Sequence, residues 1–371
     1  MAAVPRPATR RPSVRVALLA LALAPLAPLT AQDSTAAGGE GGGGRGAARR
    51  AAREALFGDT TPLALAIRFD HKLLFKDRDT LSQRVYDGRV VLRSGTREDT
   101  IPVRLRPRGH FRLSSDHCDF TPLQVEFRDR PTRGTVFEGQ GKLKLVTHCR
   151  TGDKAYDEYL LREYLVYRAH HLLTPHSFRA RLVQAAYDDS LDPRWQVARR
   201  AVLLEDEDDV ARRVPGKISS QGGAVWENLD SAAVGLYALF QYYIGGTDWS
   251  LSALHNVRLV QREDGVFFPL AYDFDWTGLA QTPYAVPDPR LRVSNTRDRL
   301  FRGPCWPVAQ YAPAVATFTA QRGALLALLD TPGLSDDYRK STTRWIEEFF
   351  RTIGDPKAFE KAIKRGCDLG T

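Results

Sequence analysis

Apolar and polar residues alternate over several short runs in the first half of this chain, and then the period changes. Residues 63–69, 89–92, 103–105, 123–127 and 143–146 read as half-buried strands. Asp87-Gly88, Ser94-Gly95 and Arg108-Gly109 punctuate them as turns, and together they predict a twisted antiparallel sheet. From 155 to 173 the spacing becomes helical. Tyr159, Leu160, Glu163, Tyr164, Tyr167 and Leu172 recur along one pattern, and Pro175 follows its end. Strand patterns return at 180–187 and 201–204, divided by the polar turn 188–194 and closed by the acidic run 205–209. The basic, glycine-containing loop 212–223 reads as an internal boundary. Beyond it, 229–244 is apolar on most sides, as in a buried helix. Helical patterns recur at 313–329, 335–353 and 356–364, after an irregular proline-rich stretch at 283–307. A β-rich part with one helix, 61–210, followed by a mostly helical part, 211–371, predicts an α+β chain of two lobes.

The chemistry concentrates in 245–279, GGTDWSLSALHNVRLVQREDGVFFPLAYDFDWTGL. Residues 257–260 and 266–271 read as strands, and the charged stretch 261–265 between them reads as a turn. Such a hairpin returns the chain to its starting level. Asp248 and Asn256 before the first strand then gather with Asp273 and Asp275 after the second. Singly, each is an ordinary turn or loop residue. As a set, three carboxylates and a carboxamide suit Mg²⁺, which takes oxygen ligands, keeps several waters and is often shared with substrate phosphates.

Composition narrows the setting. The 371 residues are 43% hydrophobic and 10% aromatic, enough for a sizeable core. The net charge of +9 becomes +5 once the four arginines and no acids of residues 1–31 are set aside. That excess is scattered, with no basic run beside stacking aromatics, so a nucleic-acid partner is not indicated. An anionic nucleotide needs only local charge. Residues 1–15 are basic, 16–29 are apolar but broken by prolines, and Leu29-Thr30-Ala31 supplies small residues. This predicts a signal peptide over 1–31 cleaved near Ala31, and a chain secreted or periplasmic thereafter. No later segment reads as a transmembrane segment. Residues 32–60, rich in Gly, Ala and Arg, read as a flexible tether.

Export makes disulfides the natural fate of four cysteines. Cys118 and Cys149 both flank strand-like runs of one β-rich region and are expected to pair, leaving Cys305 with Cys367. His170 and His171, late on a helix, are expected in solvated or dipole-facing positions rather than on a metal.

The order Asp, Asn, strand–turn–strand, Asp resembles the catalytic segment of protein kinases. The gap from Asp248 to Asn256 is longer than that motif prescribes, and no G-x-G-x-x-G loop is present, which excludes an ordinary protein kinase. The chain more closely resembles the spore coat protein H (CotH-like) family of secreted atypical kinases, through four segments in the family's order. Residues 103–112, VRLRPRGHFR, look like its Arg-Gly segment. Residues 142–169, KLKLVTHCRTGDKAYDEYLLREYLVYRA, are similar to its strand and acidic helix. Residues 201–210, AVLLEDEDDV, resemble the strand that ends in a glutamate, and 247–278 resemble its Asp, Asn, Asp-aromatic-Asp signature. Together they span roughly 60–280.

The resemblance implies a two-lobed atypical protein-kinase-like fold using ATP and Mg²⁺ to phosphorylate an exported protein acceptor. It implies Asp248 as the catalytic carboxylate, and Asn256 with Asp273 or Asp275 or both on Mg²⁺. It implies Glu205 near the adenine or ribose, Trp249 stacked on the base or in the core, and Arg108 with the Gly109 backbone near phosphate. Where the family carries lysines, this chain reads Phe120-Thr121-Pro122-Leu123-Gln124. The phosphate-binding cation is then Lys142, Lys144, Arg108 or Arg106, and a strand lysine paired with Glu158 or Glu163 would suit the kinase plan. Alternation puts Lys142 and Lys144 on one face. A rival expectation is a catalytically inactive CotH-like envelope or surface scaffold, a pseudokinase whose cleft lacks a replacement cation. Metal-assisted hydrolysis is weaker still, because His255 is the one nearby histidine and strand alternation turns it away from Asn256.

Overall fold

Leu65, Ile67 and Phe69 of β1 (Leu63–Phe69) are all buried, and the residues between them are more exposed. That alternation repeats around a closed wall. The structure, a computed structural model, describes residues 51–94, 97–128, 131–214, 216–291 and 293–367. β1, β2 (Tyr86–Ser94), β3 (Arg97–Pro107), β4 (Leu123–Phe127) and β5 (Lys142–Val146) follow one another antiparallel. β6 (Ala180–Asp189) and β7 (Gln196–Leu204) form a hairpin, with β7 beside β5. β6 then pairs with β1 in parallel, Leu63 opposite Val183 through Phe69 opposite Asp189, and closes a barrel ordered β1-β2-β3-β4-β5-β7-β6. Its interior is filled by side chains such as Ile67, Val90, Leu105, Leu145, Val183 and Tyr187. Gly88, expected in a turn, lies inside β2 opposite Phe69 and Val103. A Cβ there would meet Leu105 Cδ1 at 2.7 Å, so glycine permits the close packing of this wall.

The remaining elements pack as a second core on this barrel. α1 covers 51–58, and α2 is the short helix His71–Phe75. α3 (Ala155–Leu173) lies against β6 and β7 on one side and α6 (Ala312–Ala327) on the other. α4 (Glu207–Arg213) leads into β8 (Gly216–Ser219), which joins β9 (Val257–Arg262) and β10 (Phe267–Ala271) in a three-stranded antiparallel sheet. α5 (Ser231–Ile244), α7 (Asp336–Gly354) and α8 (Pro356–Gly366) complete the set.

The two-lobed kinase-like arrangement expected from the sequence is therefore corrected. The β-rich part is not an open sheet but a closed seven-stranded mixed barrel, and the part beyond it contains a sheet of its own. The described residues form one compact unit, and α4 runs unbroken across position 210. The physical reason is the parallel β1–β6 pairing, which removes the exposed sheet edges that an open lobe would leave.

The expected signal peptide, and the tether up to residue 50, lie outside the described residues. From 51 on the tether reading fails. α1 buries Leu56 completely, and Arg53 Nε donates to the Gly139 carbonyl at 2.6 Å. Among the described residues one helical stretch, Val308–Asp330, is long and apolar enough by composition to cross a membrane. It begins and ends in 3-10 turns and buries Phe318 against Tyr243 and Phe349, so it is no clear transmembrane segment. Both expected disulfides are present, Cys118–Cys149 and Cys305–Cys367. They fit an oxidising, extracytoplasmic compartment.

His170 is not solvated. It is 4% exposed and stacks on Phe240 at 4.1 Å, and burial, with a smaller push from His171, pulls its pKa down to about 3. Folded His170 thus stays neutral where the unfolded residue takes up a proton below its ordinary value near 6.5. Wild-type stability is accordingly lost as pH falls through 6.5. Relative to wild type, His170→Phe should gain roughly 1.4 kcal/mol per pH unit of acidification below 6.5, and nothing above it. Urea unfolding of both proteins between pH 4.5 and 8 reads the difference directly. A constant offset across that range would show that His170 is not held neutral.

Candidate functional site

α5 ends at Gly245, whose φ of 63° is left-handed, and there the chain turns toward the site. A Cβ at Gly245 would lie 2.8 Å from the Thr296 carbonyl oxygen. The far end of the same segment comes back to this point. Gly278 N–H donates to the Gly245 carbonyl at 3.2 Å, and Leu279 N–H to that of Ile244 at 3.0 Å. Between these ends β9 and β10 pair from Val257–Ala271 to Gln261–Phe267, which is the hairpin read from the sequence. Asp248, Asn256, Asp273 and Asp275 all line one cavity of about 540 Å³, together with Arg108, Gly109, Arg112, Phe111 and Trp276.

Local backbone geometry aims these side chains. Asn256 and Asp273 flank the hairpin in the left-handed region, with φ of 53° and 62°. Asn and Asp tolerate that region better than other non-glycine residues, and such outliers gather at functional sites. Asn256 Nδ2 donates to the Asp248 carbonyl oxygen at 2.7 Å and to its Oδ2 at 3.0 Å. His255 Nε2 bonds Asp248 Oδ1 at 2.9 Å, and that bond raises the His255 pKa above its ordinary value. The expectation that His255 turns away is thus corrected. The left-handed Asn256 precedes β9 and breaks strand alternation, so both neighbours face Asp248. Asp273 N–H donates to Tyr167 Oη at 3.0 Å. Asp275, 5% exposed, accepts from Tyr284 Oη at 2.9 Å.

A buried charge pair, Arg112 with Glu163, stands at this wall, and of the two only Arg112 lines the cavity. Arg112 sits on the 3-10 turn Phe111–Leu113, and Glu163 on the buried face of α3. Their side chains are 10% and 4% exposed, and Arg112 Nη1 lies 3.6 Å from Glu163 Oε2. Burial opposes the Arg112 charge, yet Tyr284, Glu163, Asp275 and Asp273 together raise its pKa. Burial and the repulsion of Asp275 raise the Glu163 pKa, against the pull of Arg112. Burial and the repulsion of Asp273 raise that of Asp275 in the same way. Excess negative charge at such depth is what a cation from outside would relieve.

The other residues singled out from the sequence stand elsewhere. Lys142 pairs with Asp206 at 3.5 Å on a separate, mixed-charge groove. Lys144 is held by Glu207 at 3.3 Å and lies over the rings of Phe178 and Tyr272, and burial, then Arg108, lowers its pKa. Arg106 bonds Gln83 and Gln124. Glu158 pairs with Arg162 at 2.7 Å and accepts from Ser335 N–H and Oγ at the start of α7, so neither strand lysine meets it. Glu205, 4% exposed, is bound by Arg213 and by the Arg179 N–H. Trp249 is 3% exposed, packs edge-on against Trp226 and Tyr237, and donates to the Gly246 carbonyl. It belongs to the core, and the aromatic faces on the cavity are Phe111 and Trp276. Of the named set, Asp248, Asn256, Asp273, Asp275 and Arg108 come together.

Among the described residues no group of three or more His, Cys, Asp or Glu side chains forms a ready-made metal cage. No protein-family model and no curated protein matches the chain.

Proposed function

We propose that the chain binds a Mg²⁺–nucleotide in the cavity at the foot of the β9–β10 hairpin and transfers the ATP γ-phosphoryl group to a protein hydroxyl, as a secreted or periplasmic CotH-like phosphotransferase. The observation that carries this reading is the convergence of Asp248, Asn256, Asp273 and Asp275 on one cavity that also contains Arg108 and the Gly109 backbone. Asn256, Asp273 and Asp275 would hold the ion, which supplies charge neutralisation for the phosphates. Asp248, oriented by Asn256 and His255, accepts the hydroxyl proton. The hydroxyl oxygen bonds to the γ-phosphorus. The bond from that phosphorus to the β–γ bridging oxygen breaks, and its electron pair leaves with the nucleoside diphosphate.

A second reading, an inactive surface or envelope scaffold of the same family, is favoured by one observation. Both strand lysines are tied to acidic residues outside the cavity. Against it stand Arg108 and Arg112 within. Thermal unfolding with ATP and Mg²⁺, alone and together, separates the two. A ligand held a hundredfold above its Kd adds roughly 2.7 kcal/mol. Asp273→Asn, which keeps a residue tolerant of the left-handed backbone, should abolish the Mg²⁺-dependent part of the ATP shift. No shift in the wild-type protein with either ligand would sink the phosphotransferase reading and leave the scaffold.

A further inference from the structure

We propose that Arg112, anchored by Glu163, grips the terminal phosphates of the nucleotide, in place of a lysine on the barrel strands. The assignment rests on the Mg²⁺–nucleotide reading and adds to it the group that binds the transferred end.

Arg112 does not use all of its donors within the protein. Nη2 donates to the Thr147 carbonyl oxygen. Nη1 stands 3.6 Å from Glu163 Oε2, attracted but outside hydrogen-bond distance. Nε is buried and has no hydrogen-bond partner, and Glu163 Oε1 is likewise buried and unpartnered. A buried charged donor without a partner is costly, and native structures keep few of them. Arg112, whose Nε is the open donor, lines the cavity of Asp248, Asn256, Asp273 and Asp275. An oxyanion in the cavity would satisfy the guanidinium. Arginine suits this task because its planar fork matches phosphate geometry and its charge survives burial.

The neighbouring cations are less suited. Lys144 is neutralised by Glu207 between two rings, and Lys142 faces Asp206 and Asp208 on another groove. Arg108 shares the cavity but is half-exposed. Arg112 is instead fixed from behind by a carboxylate on α3 and by the Thr147 carbonyl, as a group that must not move when charge develops requires. The 3-10 turn that carries it is tied down in its turn. Phe111 stacks on His117 at 3.9 Å, and the next residue, Cys118, is bridged to Cys149.

The test compares affinity for MgATP with affinity for adenosine, by calorimetric titration of wild type, Arg112→Lys and the double variant Arg112→Gln/Glu163→Gln. Removing both charges avoids leaving either one buried and unpaired, so the double variant should fold. Its MgATP affinity should fall at least ~10-fold while its adenosine affinity stays unchanged, because a lost charge-assisted contact acts only on the phosphates. Arg112→Lys keeps the charge but not the fork, and should lose part of the same preference. A merely structural role would weaken both ligands alike or neither. MgATP affinity equal to wild type in both variants, with Asp273→Asn still abolishing it, would overturn the role of Arg112 and leave the nucleotide reading intact. Absence of Mg²⁺-dependent ATP binding in the wild-type protein would overturn both.

Discussion

Replacing Cys118 and Cys149 together by alanine should lower the unfolding free energy by roughly 4 kcal/mol, and replacing Cys305 with Cys367 should do about the same. The bridges close loops with sequence separations of 31 and 62, and loop-closure entropy grows only slowly with length. Their accessibility differs far more. Cys118 and Cys149 are fully buried beside Tyr156, and Cys305 is exposed. A mild thiol should therefore open Cys305–Cys367 first under native conditions. The two pairs should also part in function. Cys118–Cys149 joins the segment carrying Arg112 to the segment after β5 that supplies the Thr147 carbonyl, whereas Cys305–Cys367 ties the end of α8 to the proline-rich stretch. Losing the first pair should weaken MgATP binding at temperatures where the chain is still folded; losing the second should leave it nearly unchanged. Urea unfolding and ATP titration on the two double variants check both statements. Equal effects on binding would mean that the Arg112 segment holds its place without the disulfide.

What was legible beforehand and what was not divides along sequence separation. The helix at 155–173 matches α3 because its apolar spacing and the following Pro175 are local signals. The hairpin at 257–271 was legible for the same reason, and with it the gathering of Asp248, Asn256, Asp273 and Asp275 at one end. Barrel closure was not. Alternation in β1 reveals a buried face, but not that its free edge meets β6 in parallel. Lys142 and Lys144 were rightly put on one strand face, yet only the fold shows that face turned to the acidic start of α4. The Arg112–Glu163 pair escaped because its members lie on a 3-10 turn and a helix whose meeting depends on the whole barrel. A buried glutamate at a core position of a periodic helix was the one available signal, since Glu is almost never fully buried without a partner. For Trp249, expected on the base or in the core, the fold selects the core, where Trp226 and Tyr237 cover it.

Phe274→Ala should cost about 3–5 kcal/mol and remove nucleotide binding along with it. Phe274 is 1% exposed, and its ring lies 4.6 Å from Tyr167, 5.6 Å from Phe240 and 6.2 Å from His170, centre to centre. It stands between Asp273 and Asp275, so one residue buries its neighbours' backbone in the core and turns their carboxylates toward the cavity. Tyr167, which packs on this ring, is also the residue whose hydroxyl accepts from the Asp273 N–H. Emptying the site would leave a void among α3, α5 and the chain after β10. That void relaxes by shifting the backbone that positions both carboxylates, and carboxylates displaced by an ångström no longer share an ion. Phe274→Leu refills most of the volume and should lose much less stability. The expected pattern is that Mg²⁺-dependent ATP binding follows stability across the two variants: lost in Phe274→Ala, weakened in Phe274→Leu. Chemical unfolding beside ATP titration, at a temperature where both variants are folded, measures the two together. Full binding in a folded Phe274→Ala protein would mean that the hairpin alone, without its aromatic anchor, holds the carboxylates in place.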